Sequence, residues 1–262
     1  MNPLLQVEDL SVYVKQNQKL ISVVKNISFH IGQKECVGIV GESGSGKSLT
    51  AQTIACLGNY PFKGRIKIDG ECIEHKNEKE KRKIRSTQIG MIFQNPQTSL
   101  NPTMKVGEQI REVNSISLTK NDVINLMKQV GLSDTERCYH SYPHELSGGM
   151  CQRVMIAIAL ARKPKLLIAD EPTTALDVTI QAQILDLIKD IQKSFHTSIL
   201  LITHDFAVVE RVCQRVLVMY AGEIVEAGTV EQILHHAQHP YTKSLLAARP
   251  QLRKGKNYSH AR

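Results

Sequence analysis

Eight consecutive residues, Gly41-Glu42-Ser43-Gly44-Ser45-Gly46-Lys47-Ser48, carry the densest chemical information in the chain. They follow Cys36-Val37-Gly38-Ile39-Val40, a short apolar run rich in β-branched residues, and they precede Leu49–Leu57, a stretch of helical composition without Gly or Pro. Glycines at this spacing let backbone N–H groups curl around an anion, and a helix N-terminus adds its partial positive charge. Lys47 would neutralise β- and γ-phosphate oxygens, the Ser48 hydroxyl would ligate Mg²⁺, and Thr50 joins the loop as a further candidate nucleotide contact. On average composition the pattern G-x-x-x-x-G-K-[ST] recurs by chance in roughly one chain of this length per hundred. The flanking strand and helix make an accidental match rarer still.

A metal-bound triphosphate next needs a carboxylate at the end of a neighbouring strand. Asp170 closes the apolar run Leu166-Leu167-Ile168-Ala169-Asp170, and Glu171 follows at once. The first would hold Mg²⁺ through water, and the second could take a proton from a water attacking the γ-phosphate. The same two acids could instead cap the helix that follows.

The elements that must position these groups read as an alternation of strands and helices. Residues 4–14 and Val23–Ile31 read as strands, with a turn at Gly32, and Gly64–Gly70 reads as another. Glu71–Arg85 is dense in charge and reads as a solvated helix face. Residues 105–140 are polar and helical, with Val123, Ile124, Met127, Val130 and Leu132 near the 3.6 period, and form a separate helical subdomain. Helix Val154–Ala161 leads into the strand ending at Asp170, a continuous apolar run of the kind buried on both faces of a parallel sheet. Helix 178–195, strand Ser198–Thr203, helix 205–212 and strand Val216–Tyr220 complete the series. That rhythm predicts an α/β sheet with right-handed crossovers.

Composition bounds the alternatives. A chain of 262 residues with 42% hydrophobic and 22% charged content is ordinary globular usage, one or two compact units, and neither collagenous nor disordered. Thirty-three Lys+Arg against 25 Asp+Glu give +8, which suits an anionic partner: a nucleotide, nucleic acid or a membrane face. The six cysteines are scattered without a C-x-x-C pair, so neither a zinc knuckle nor a disulfide framework is expected, and reduced thiols in a cytosolic protein are the simplest reading. No apolar run approaches a membrane span, the N-terminus lacks a signal-peptide pattern, and no internal repeat is evident. The stretch after Arg249 is basic and is expected to fray.

Leu146-Ser147-Gly148-Gly149 opens a family comparison. Together with the phosphate loop, Gln94 after an apolar strand, Asp170-Glu171, Ala175-Leu176-Asp177 and His204-Asp205, it resembles the nucleotide-binding subunit of ABC transporters across nearly the whole chain. The resemblance implies an α/β P-loop NTPase of ABC ATPase type: a RecA-like core, an antiparallel β subdomain and a helical subdomain carrying the signature loop. Residues 1–250 would be one ATP-binding domain, with the helical part inserted at approximately 97–162 and a basic tail at 251–262. ATP and Mg²⁺ would be the cofactors. Two cassettes would pair head to tail, so that Ser147, Gly148 and Gly149 meet the γ-phosphate of ATP held by the partner's loop. Gln94, with Ser48 and Asp170, would sense Mg²⁺ and the attacking water, His204 would hold the γ-phosphate, and Asp177 would join the dimer interface. Taken alone, His204 reads as a core histidine and Gln94 as a loop amide; the motif series reverses both. The family places an aromatic residue near the first strand to stack on adenine, and aligning Leu10-Ser11-Val12-Tyr13-Val14 by its leucine puts Val14 there and Tyr13 one residue early. Cys151 stands where related chains often carry a basic residue.

Narrower motifs, Phe93-Gln94-Asn95-Pro96-Gln97-Thr98-Ser99-Leu100-Asn101-Pro102, Tyr142-Pro143-His144-Glu145 and His239-Pro240-Tyr241-Thr242, resemble the dipeptide/oligopeptide/nickel importer branch. Peptide-importing members usually continue well past the last motif, whereas only residues 243–262 follow it here, so the expectation is a nickel or metal-chelate importer, with a peptide importer as the alternative. His235, His236 and His239 raise a metal-sensor reading, but the branch carries histidine there in peptide importers too. The implied partners are two permease subunits, a second, paralogous ATPase and an extracytoplasmic substrate-binding protein, with the chain peripheral on the cytoplasmic face of the membrane and no nucleic acid bound. A soluble ABC protein acting on nucleic acid or ribosomes would suit the charge, but it would typically carry two cassettes or a long coiled coil. A P-loop kinase or GTPase leaves the signature loop and His204 unexplained.

Overall fold

The computed structural model describes residues 2–113 and 118–249; the basic tail at 251–262 lies outside the described residues. The chain opens with a hairpin, β1 (Leu5–Gln16) and β2 (Lys19–Ile31), joined by Asn17 and Gln18, both at positive φ (47° and 63°). Two left-handed residues in succession make the tight turn whose twist matches the strands. No glycine marks it, so the strands extend further toward each other than the sequence suggested. Next come β3 (Cys36–Val40), α1 (Lys47–Ile54), β4 (Phe62–Ile68), β5 (Glu71–Cys72), α2 (Glu78–Thr87) and β6 (Ile89–Ile92). Helix α2 starts at a reciprocal cap between Asn77 and Glu80 and buries only Ile84, as a solvated, charge-dense helix should.

A run of helices follows: α3 (Pro96–Ser99), α4 (Val106–Glu112), α5 (Lys120–Gln129), α6 (Thr135–His140) and α7 (Gly148–Leu160). Then come β7 (Leu166–Asp170), α8 (Val178–Phe195), β8 (Ser198–Thr203), α9 (Phe206–Val212), β9 (Arg215–Tyr220), β10 (Glu223–Thr229), α10 (Val230–His236) and α11 (Pro240–Ala247). Beyond β9 the sequence carries motif residues but no strand or helix signal. Strand β10 is half exposed at a sheet edge, so it lacks the apolar run that betrays a buried strand.

Two sheets result. The smaller is antiparallel in the order β2-β1-β4-β5; the larger runs β10-β9-β3-β8-β7-β6, with β9, β3, β8, β7 and β6 parallel and β10 antiparallel at one edge. Period-2 alternation divides the larger sheet between two apolar clusters. Val37, Ile39, Leu166, Ile168, Leu200, Ile202, Leu217 and Met219 face α1 and the antiparallel sheet. Val40, Leu167, Ala169, Ile199, Leu201, Val216 and Val218 face the helices from α4 to α9. Burial on both faces explains why these strands read as unbroken apolar runs.

Helix α7 begins six residues earlier than the sequence indicated. Ser147 is its N-cap, accepting the Met150 N–H at 3.3 Å, and Gly148-Gly149 form its first turn. Glycine is a poor helix former, which disguises that turn as loop.

Candidate nucleotide site

Loop 41–48 leaves the end of β3 and enters α1. Gly46 has φ 104°, and a Cβ there would sit 2.9 Å from Met219 Cε and 3.2 Å from Val24 Cγ2, so the turn demands glycine twice over. Residues Val24 of the antiparallel sheet and Met219 of β9 thus wall the loop, a role no local motif announces. Lys47 is buried; its Nζ donates to the carbonyls of Gly41 at 2.8 Å and Glu42 at 2.7 Å. Burial pulls its pKa down, against the raising pull of Glu171, Asp170 and Glu42. Thr50 is fully buried and donates to Gly46 O at 2.9 Å, so it braces the loop from inside α1.

From α1, Ser48 Oγ donates to Asp170 Oδ1 at 2.9 Å, joining the loop to the end of β7. Burial raises the Asp170 pKa and the Glu171 charge adds to it, while the Ser48 hydrogen bond and Lys47 oppose. The neighbouring Glu171 takes a left-handed backbone conformation, φ 48°, with its N–H on Ile202 O of β8 at 2.9 Å. That conformation is costly for a non-glycine residue. Three side chains meet its carboxylate: Gln94 Nε2 donates to Oε2 at 2.9 Å, Thr174 Oγ1 donates to Oε2 at 2.8 Å, and His204 Nδ1 stands 3.1 Å from Oε1. Burial, the largest single influence, pushes the Glu171 pKa up, but the hydrogen bonds from Thr174 and His204 together with the electrostatic pull of His204 and Lys47 bring the net direction down. The carboxylate is therefore ionised and oriented, as a proton acceptor must be.

Of the sequence-predicted residues, Lys47, Ser48, Asp170, Glu171, Gln94 and His204 converge at the ends of β3, β6, β7 and β8. Gln94 reaches this group through Glu171. Ser147, Gly148 and Gly149 stand apart: among the described residues no hydrogen bond joins them to residues 41–48; Ser147 accepts from the N–H groups of Met150 and Cys151, and the two glycines lie against Leu176 and Ile180. A Cβ on Gly149 would lie 2.9 Å from Ile180 Cγ2, so signature turn and α8 are closely packed. Asp177 caps α8, accepting the Ile180 N–H at 3.0 Å. Tyr13 is half buried in β1, its N–H on Pro61 O at 2.9 Å. Thr174 lies outside every motif the sequence offers, although its contact is local: it sits three residues after Glu171 in a turn closed by its own N–H on Glu171 O at 3.2 Å.

The oxygen donors fit Mg²⁺. Ser48 and Asp170 offer a hydroxyl and a carboxylate side by side, and a hard cation that keeps most of its waters and takes phosphate oxygens needs little more from protein. Among the described residues no cluster of three or more His, Cys, Asp or Glu makes a larger metal centre, and His235, His236 and His239 form none.

Residues 24–174 match the family described as ABC transporter, and residues 225–262 match the oligopeptide/dipeptide transporter C-terminal region. The chain is 52% identical over 259 residues to the oligopeptide transport ATP-binding protein OppD of Bacillus subtilis, covering 95% of this chain and 72% of that one. It is 45% identical over 262 residues to the dipeptide transport ATP-binding protein DppD of Escherichia coli, covering 97% and 80%. It is 48% identical over 266 residues to the glutathione import ATP-binding protein GsiA of Escherichia coli, covering 95% of this chain and 42% of that one. Among solved structures, the dimeric ATP-binding cassette MJ0796 bound to ADP and Pi superposes with a TM-score of 0.77 at 29% identity, over 86% of this chain and 98% of that one. These relatives fit the alternative expectation, peptide import, better than nickel import. Nickel import rested on where the chain stops, yet the matched C-terminal region runs through that same stretch, and the named relatives handle oligopeptides, dipeptides and glutathione. The chain therefore belongs to the ABC transporter family, as an ATP-hydrolysing importer subunit that uses ATP and Mg²⁺, in the branch that includes the oligopeptide, dipeptide and glutathione import ATP-binding proteins.

Proposed function

We propose that the chain energises peptide uptake through separate permease subunits. The observation that carries the reading is the convergence of Ser48, Asp170, Glu171, Gln94 and His204 beside the phosphate loop, in a chain whose relatives are peptide importers. Lys47 and the loop amides hold the triphosphate, with Thr50 behind them and Tyr13 as the aromatic surface for adenine. Ser48 and Asp170 hold Mg²⁺, which neutralises phosphate charge when bound. Glu171 accepts the proton of the attacking water, Gln94 and Thr174 orient its carboxylate, and His204 holds the γ-phosphate.

Ser147, Gly148 and Gly149 point to a shared site. Among the described residues no hydrogen bond joins them to the phosphate loop of their own chain, and Gly148 and Gly149 pack toward Leu176 and Ile180, which supports a head-to-tail pair in which they serve the partner's triphosphate and Asp177 lies at the junction. The partner is a paralogous ATPase. In this reading the helices at approximately 97–162 form an inserted subdomain. Beside Gln94, Phe93 is 39% exposed at a cavity of about 190 Å³ shared with Met91, Val113 and Ile158 between the sheet and those helices. That apolar seat suits a segment of a permease. No helix among the described residues is long and apolar enough to cross a membrane, so attachment through the permeases, on the cytoplasmic face, is the arrangement proposed. An extracytoplasmic binding protein would supply the peptide.

The test is uptake of a labelled dipeptide, a labelled tetrapeptide and radioactive nickel in cells carrying Glu171→Gln. Loss of peptide uptake with nickel uptake intact is expected. Loss of nickel uptake alone would overturn the peptide reading.

A further inference from the structure

The chain's last described helix reaches back to the phosphate loop. Tyr241, in the first turn of α11, accepts the Glu42 backbone N–H on its hydroxyl at 3.0 Å across 199 positions of sequence. The N–H of Glu42 and the carbonyl of Gly41 belong to one peptide unit, and that carbonyl is the one to which Lys47 Nζ donates at 2.8 Å. A single planar amide is thus held from both sides, by Tyr241 outside the loop and by Lys47 within it.

The tyrosine is itself firmly placed. Its ring lies against Tyr220, centroids 4.2 Å apart, at the end of β9. Its N–H donates to His239 Nδ1 at 3.2 Å, and the backbone N–H groups of Gln238 and His239 donate to the two oxygens of Glu226 in β10 at 2.6 and 3.2 Å. A string of contacts therefore runs from the sheet edge through the His-Pro-Tyr segment to the loop.

We propose that Tyr241 is a positioning residue for ATP binding: its hydroxyl fixes the Gly41–Glu42 peptide and, through it, the resting place of the Lys47 ammonium. The inference rests on loop 41–48 holding ATP and is independent of the cargo. Phenylalanine at 241 keeps the ring on Tyr220 and removes only the acceptor, so fold and site are separable.

The experiment titrates the purified full chain with a fluorescent ATP analogue and Mg²⁺, wild type against Tyr241→Phe, adds melting temperature and amide exchange at Glu42, and reads ATPase kinetics in the importer assembled with its partner ATPase and permeases. Expected for the variant are affinity weaker and KM higher by about three- to tenfold, the worth of one hydrogen bond, with kcat and melting temperature unchanged and faster exchange at Glu42. Unchanged affinity and unchanged Glu42 exchange would overturn the proposal, and so would a fall in kcat at constant KM. A wild-type chain that binds no nucleotide would instead sink the assignment of the loop itself.

Discussion

Gln94 and Glu171 stand 77 positions apart in sequence and 2.9 Å apart in space, the amide of one donating to the carboxylate of the other. Gln94 follows β6 and Glu171 follows β7, and those strands pair in parallel, Ile92 beside Ala169. The link between the apolar seat at Phe93 and the carboxylate is therefore one strand wide. Glu171→Gln keeps Lys47, Ser48 and Asp170 and loses only the proton acceptor. Single-turnover hydrolysis should fall about 10²- to 10⁴-fold while MgATP affinity stays near wild type. Normal turnover would remove Glu171 from the chemistry.

Lowering of the Glu171 pKa by Thr174 and His204 has a sign that can be checked. A carboxylate with a depressed folded pKa stabilises the fold above its unfolded value and loses that contribution as pH falls through the folded value. Turnover should accordingly hold into the acid range. Thr174→Ala deletes one of the two groups named and should move the acid limb of a kcat–pH profile toward neutral, with KM for ATP little changed. An unmoved limb would mean that another group sets it.

Asp170 has the opposite bias. Burial raises its pKa, so the ionised form costs stability, and the cost grows as pH rises from the ordinary carboxylate range through the raised folded value. Asp170→Asn retains an acceptor for Ser48 and removes the charge. At neutral pH the variant should melt at or above the wild-type temperature, an advantage that shrinks in acid, while its Mg²⁺-dependent ATP affinity drops about 10- to 100-fold. Calorimetry at two pH values, paired with nucleotide titration, checks both halves.

Ser147 does two jobs that can be parted. As the N-cap of α7 it accepts the Met150 N–H, and Ser147→Ala should cost about 1 kcal/mol of stability. Ser147→Asp caps as well but places a negative charge at the signature turn. Melting temperature should recover in the aspartate variant, whereas turnover of the assembled importer should not. Recovery of both would confine Ser147 to capping.

Strands β3, β7 and β8 are legible residue for residue, because a strand buried on both faces leaves an unbroken apolar run, and α8 is legible at 178–195, where the structure adds Asp177 as its cap. The hairpin turn at Asn17-Gln18 is not, since its left-handed residues include no glycine. Within the site, the phosphate loop is local and could be read directly. The groups gathered on Glu171 come from three segments: Thr174 from the turn that follows it, and Gln94 and His204 from the ends of β6 and β8, which only the sheet order brings there. The wall made by Val24 and Met219 has no periodic signature either, and neither does the reach of Tyr241 to Glu42.

Strand β3, which carries the phosphate loop, lies between β8 and β9, its Val37 paired with Leu200 on one side and Arg215 on the other. Both neighbours come from the last third of the chain. Contacts so distant in sequence close slowly, and during synthesis they cannot close at all until the later strands have left the ribosome. The loop is made early and seated late. A nascent chain halted before Ser198 would display the whole Gly41–Ser48 segment with neither neighbour of β3 made, so nucleotide capture must wait until most of the polypeptide has been translated.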